Sequence, residues 1–87
     1  MKFKEALEII RKEFKTNCVV YGYDYDDSYG FLVSIDKKFN KEEPGYHCKV
    51  NKETGKIIYF YPIQEIEAYS RAIKKRIYVD VKEEDLK

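Results

Sequence analysis

The sequence predicts a small α+β domain: a four-stranded antiparallel meander preceded by one helix and followed by another, in the order α-β-β-β-β-α. Three observations predict it. Phe3, Leu7, Ile10 and Phe14 recur at helical spacing near the start, and Ile63, Ile66, Tyr69, Ile73 and Ile77 do so near the end. The middle of the chain instead alternates apolar and polar side chains with period two. Turn-forming stretches, Asp26-Asp27-Ser28-Tyr29-Gly30, Pro44-Gly45 and Asn51-Lys52-Glu53-Thr54-Gly55, separate the alternating runs. A chain of 87 residues holds one domain and one core, so most of its apolar side chains are needed for folding. Residues 1–82 form the expected domain, and 83–87 a frayed tail.

The first helix is expected from Phe3 to about Lys15, with Ala6 beside the apolar stripe. Glu8 and Lys12 form an i,i+4 pair worth only a few tenths of a kcal/mol, so burial of the stripe must supply most of the helix's stability. Thr16-Asn17 ends it, Asn being an acceptable left-handed cap. In Cys18 to Tyr25, simple alternation places Val19, Tyr21, Tyr23 and Tyr25 on one face and Gly22 on the other, where it permits a close helix approach or a bulge. Phe31, Val33 and Ile35 share one face of the second strand, which pairs with the first around an acidic tip. Lys37 to Gly45 reads as an exposed polar connection.

Tyr46, Cys48 and Val50 alternate with His47, Lys49 and Asn51 in the third strand, and Gly55 supplies the positive φ that closes the next turn. Ile57 to Tyr61 is apolar on both faces and reads as an inner strand. Pro62 suits the first turn of the last helix, and Lys74-Lys75-Arg76 its last turn, where cations complement the helix dipole. Ile77-Tyr78-Val79-Asp80-Val81 is expected as a short fifth strand or an interface arm. Both helices are expected on one face of the sheet.

Seventeen basic and sixteen acidic residues leave a formal charge of +1, which gives no electrostatic signature of a nucleic-acid binder. The first residues lack the apolar core of a signal peptide, and no run approaches the roughly 20 apolar residues of a membrane span, so a cytoplasmic protein is the expectation. Cys18 and Cys48 are far apart and outside any metal-like spacing, and are expected as reduced thiols that pack as small apolar groups. No cofactor is expected.

Asp24, Asp26 and Ser28 match the opening of a calcium loop, but Gly30 comes one residue late and Ile35 stands where the bidentate Glu belongs. His47 and Cys48, as neighbours on a strand, point to opposite faces and cannot act as base and nucleophile. A zinc site from Cys18, Cys48 and His47 lacks a fourth ligand. The expected function is therefore binding without catalysis. Asp24, Asp26, Asp27 and Tyr29 offer negative charge beside an aromatic anchor to a basic surface. Nine tyrosines exceed what one face of a small sheet buries, so the stripe of Tyr21, Tyr23 and Tyr25 is either a partner or homodimer surface or the core beneath the helices. Alternation does not say which face is covered.

The leading helix, the strand at Gly30-Phe31-Leu32-Val33, the hairpin Val50-Asn51-Lys52-Glu53-Thr54-Gly55-Lys56-Ile57 and Pro62-Ile63 opening a helix with Tyr69 resemble the immunity protein 35 family of bacterial toxin systems. The likeness spans about residues 3 to 76. Asn51 stands where that family's turn carries Asp. PepSY-like domains share the hairpin wording. The resemblance implies a cytoplasmic, antitoxin-like protein that masks a toxin through its surface; a phage-encoded inhibitor of a bacterial defence protein would use the same kind of surface.

Overall fold

A computed structural model describes residues 1–14, 18–34 and 45–79. It contains α1 (Phe3–Glu13), β1 (Cys18–Tyr25), β2 (Ser28–Ser34), β3 (Tyr46–Asn51), β4 (Ile57–Tyr59), a 3₁₀ turn (Pro62–Glu65), α2 (Ile66–Ile73) and β5 (Ile77–Tyr78). The strands form one antiparallel sheet in the order β4-β3-β2-β1-β5. The α+β class, the meander and the short fifth strand are as expected. The expected helix end at Lys15 to Asn17, Ile35, the connection from 37 to 44 and the tail beyond Val79 lie outside the described residues, as does the Cys18 side chain.

α1 forms as its stripe predicts. The Glu5 carboxylate accepts the Lys2 N–H at 3.2 Å, half of a capping box. Ala6, Leu7 and Ile10 are buried against Val19, Phe31, Val33, Cys48 and Val50, with Phe3 and Phe14 half-buried at the two ends. Phe3 lies on β1 because Gly22 is there: a Cβ at Gly22 would come within 2.7 Å of the Phe3 ring. The Asn51–Lys56 turn closes as read, with Gly55 at φ 72° and the Asn51 Oδ1 accepting the Glu53 and Thr54 N–H groups at 2.8 and 2.9 Å.

The helices do not share a face. α2 packs on the other side of the sheet through Ala68, Tyr69, Ala72 and Ile73, over Tyr21, Tyr23, Tyr25 and Phe60. Two local features correct the expectation. The register of β1 against β2 shifts between Val19 and Tyr21, so Val20 is a bulge; Val19 faces α1 while the tyrosines that follow face α2. Pro62–Glu65 is a 3₁₀ turn, which breaks the phase of the apolar stripe, so Ile63 and Ile66 are 81% and 54% exposed and Ile77 belongs to β5. Every described β2 residue except Tyr29 is buried, as a strand covered on both faces should be.

One further expectation is reversed. The run Ile57 to Tyr61 is not an inner strand: β4 is an edge, and Ile58, Tyr59 and Tyr61 are exposed.

Candidate interaction surfaces

Among the described residues, the predicted site residues divide into a free tip and a buried layer. β1 and β2 are joined by Asp26-Asp27, with Tyr25 paired to Ser28. Asp26 sits at φ 59°, the positive value that a mirror-image hairpin turn requires at its first position. The turn is fixed from below. Asp24 Oδ1 accepts the Asp26 N–H at 3.1 Å and pairs with Lys52 Nζ at 2.8 Å, the Asp27 carbonyl accepts the Lys52 N–H at 3.0 Å, and the Ser28 hydroxyl donates to Asp27 Oδ1 at 3.1 Å. Asp24 is thereby neutralised locally, whereas Asp26 and Asp27 are exposed with no cationic partner among the described residues. Tyr29 is half-buried: its ring lies under Lys52 Nζ at 4.7 Å and edge-on to Phe3, and its hydroxyl donates to the Met1 carbonyl at 3.3 Å.

Tyr21, Tyr23 and Tyr25 are core, the second of the two readings open for that stripe. Tyr23 and Tyr25 are buried and Tyr21 half-buried. Tyr23 lies across Gly30, where a Cβ would meet its ring at 2.1 Å. Tyr21 and Tyr69 share a hydrogen bond of 2.6 Å between hydroxyls, and Tyr25 donates to Glu65 Oε1 at 3.1 Å beside a Lys49–Glu65 ion pair of 3.3 Å. Burial raises the phenols of Tyr21 and Tyr23, and burial followed by the Glu65 hydrogen bond pushes Tyr25 up to about 12. The Tyr23 hydroxyl and His47 Nδ1 are buried without a hydrogen-bond partner among the described residues, an arrangement that costs rather than adds stability.

His47 and Cys48 point to opposite faces, as read. His47 packs edge-on to Phe60 and Tyr69 beneath α2, and burial lowers its basicity. Cys48 is fully buried on the α1 side, its thiol pushed by burial up to about 12 and so held protonated. No group of three His, Cys, Asp or Glu side chains among the described residues is placed to hold a metal ion.

The sequence did not reveal a cleft of about 360 Å³ beside the tip. Among the described residues β5 pairs with Tyr21 and Gly22 of the β1 edge, and Tyr23, Asp24 and Tyr25 beyond them line the cleft. Asp24 and Asp26 form one lip, Arg71 of α2 and Lys75 in the turn that follows it the other, and Tyr23, Tyr25 and Phe3 contribute the apolar lining. The Val79 N–H donates to the Val20 carbonyl at 3.1 Å, so alternation along β1 turns the Asp24 N–H and C=O toward the open edge. Arg76 guards the closed part of this edge, lying over the Tyr21 and Tyr78 rings at 5.8 and 5.4 Å and donating to the Tyr78 hydroxyl at 2.9 Å. The legible signal was Arg71 and Lys75, four residues apart in the sequence and opposite in charge to the tip.

At the far edge, β4 and the 3₁₀ turn expose Ile58, Tyr59, Tyr61 and Ile63 beside a second cleft lined by Phe14, Tyr46, His47 and Phe60. No described helix is long and apolar enough to cross a membrane. Compared with protein-family models, curated proteins and solved structures, the chain matches none.

Proposed function

We propose that this protein is a non-catalytic binding domain that grips a protein partner with the β1–β2 hairpin tip and the cleft beside it, in the manner of an inhibitor that masks another protein's working surface. The observation that carries this reading is that Asp26 and Asp27, exposed and with no cationic partner among the described residues, stand on a hydrogen-bonded turn next to a cleft with opposite charges on its two lips. Fixed charge at a pre-ordered tip favours association because little side-chain freedom remains to be lost, and a basic partner surface is its complement. The open β1 edge adds a backbone donor and acceptor at Asp24 for an extended segment of the partner. An antitoxin-like role is the biological form that the sequence resemblance favours, and a phage-encoded inhibitor of a bacterial defence protein would use the same kind of surface.

The test compares wild type with Asp26→Lys/Asp27→Lys as bait in lysate from the native host, with retained proteins identified by mass spectrometry and titrated against both baits by calorimetry. The reading expects a partner whose affinity falls at least about tenfold on charge reversal while the melting temperature of the bait stays within about 2 °C. A partner bound equally by both baits would place the site elsewhere.

A further inference from the structure

β4 contradicts its own composition. Its residues are apolar on both faces, the mark of a strand with neighbours on each side, yet among the described residues β3 is its only neighbour in the sheet. We infer that the missing neighbour is the β4 of a second copy of this chain, paired antiparallel about a two-fold axis passing beside Ile58.

The backbone fixes this register. Asn51 N–H donates to the Lys56 carbonyl and Phe60 N–H to the His47 carbonyl, so Lys56, Ile58 and Phe60 turn their peptide groups toward β3. Ile57 and Tyr59 therefore turn theirs outward. Two outward residues flanking one inward residue form a self-complementary edge: Ile57 of each copy meets Tyr59 of the other as a hydrogen-bonded pair, and the two Ile58 residues oppose each other as a non-hydrogen-bonded pair at a Cα separation of about 4.5 Å. Pro62, without an N–H, ends the ladder on one side and discourages a slipped register.

Charge selects a second copy over a foreign partner. From Ile57 to Gln64 the chain has no ionisable side chain except Tyr59 and Tyr61, and the next residue, Glu65, is already paired with Lys49. A two-fold axis sets like against like, so an uncharged seam suits self-association, whereas it offers no charge by which a different protein would be chosen. A formal charge of +1 adds little repulsion between copies. Pairing would cover Ile58 and Tyr59, 45% and 57% exposed, and would join the two five-stranded sheets with both acidic hairpins at the outer ends.

Sedimentation velocity over a concentration series tests the assembly, with Ile58→Lys and Ile58→Cys as the informative variants and circular dichroism verifying that each is folded. The expected results are a mass near twice 10.5 kDa for wild type, a dissociation constant raised at least about tenfold by Ile58→Lys, and a disulfide between copies of Ile58→Cys on mild oxidation that Lys74→Cys does not form. A monomer at every concentration up to about 1 mM, a dimer indifferent to Ile58→Lys, or cross-linking at position 74 in preference to 58 would overturn the inference. None of these outcomes bears on the hairpin tip, whose binding is read separately.

Discussion

The two faces of the sheet are built from different materials. Between α1 and the sheet lie Ala6, Leu7 and Ile10 of the helix and Val19, Phe31, Val33, Cys48 and Val50 of the strands, all buried and all apolar or thiol. Under α2 lie tyrosines, Phe60 and His47, and α2 itself buries no residue completely. An aliphatic layer gains stability from area alone, whereas each phenol must also keep a hydrogen bond, and the Tyr23 hydroxyl has no partner among the described residues to make one. α2 is also short and has no side-chain N-cap bond, so it depends on packing against tyrosines that leave a cleft along one side. The α1 face thus carries the dry core, and the α2 face tolerates a cleft beside the hairpin tip.

Substitution is the strongest way to break this contrast. Ile10→Ala removes a fully buried side chain from the dry layer and is expected to cost about 3–4 kcal/mol, a large share of the roughly 5–10 kcal/mol expected of so small a domain. Tyr69→Ala, in the centre of the other layer, should cost only about 1–2 kcal/mol, because the side chain is half-buried and its main bond is to one hydroxyl. Urea unfolding of both variants measures the difference. Equal costs would remove the distinction between the faces.

A smaller effect sharpens it. Burial lowers the basicity of His47 in the folded state, so folded protein binds fewer protons than unfolded protein as pH falls below about 6.5. Stability should thus be unaffected by this group above that pH and should decline below it, until the folded imidazole also takes up its proton. His47→Phe is expected to flatten the decline between about pH 6.5 and 5, measured as melting temperature against pH. An unchanged slope would mean that the imidazole is not shielded by α2.

The parts that were legible in the sequence follow from local rules. The α1 stripe, the Asn51–Gly55 turn and the Phe31/Val33 and Cys48/Val50 pairings each need only a period or a turn residue, and each lies where the pattern places it. The two faces became confused at Val19-Val20, because a bulge adds one residue without any glycine or proline to announce it, and one residue exchanges the faces of everything after it. The run Ile63 to Ile77 misled for a related reason: a 3₁₀ turn advances by about three residues and not 3.6, so the stripe no longer marks the packed side. Consecutive apolar residues at Phe31-Leu32-Val33 were the available signal that both faces are covered. At the site, the acidic tip was visible as a cluster of turn formers, but the cleft arises from where β5 begins against β1, a tertiary event with no local pattern.

Native-state hydrogen exchange tests the division between the faces most directly, because it reads the stability of each layer in the unaltered chain. The amides of Phe31 to Val33 and of Ile10 are expected to exchange only through global unfolding, while those of Ser70 to Ile73 in α2 exchange at least about tenfold faster through a local opening, a gap of roughly 1.4 kcal/mol. Equal protection in α2 and β2, both tracking global unfolding, would contradict the account.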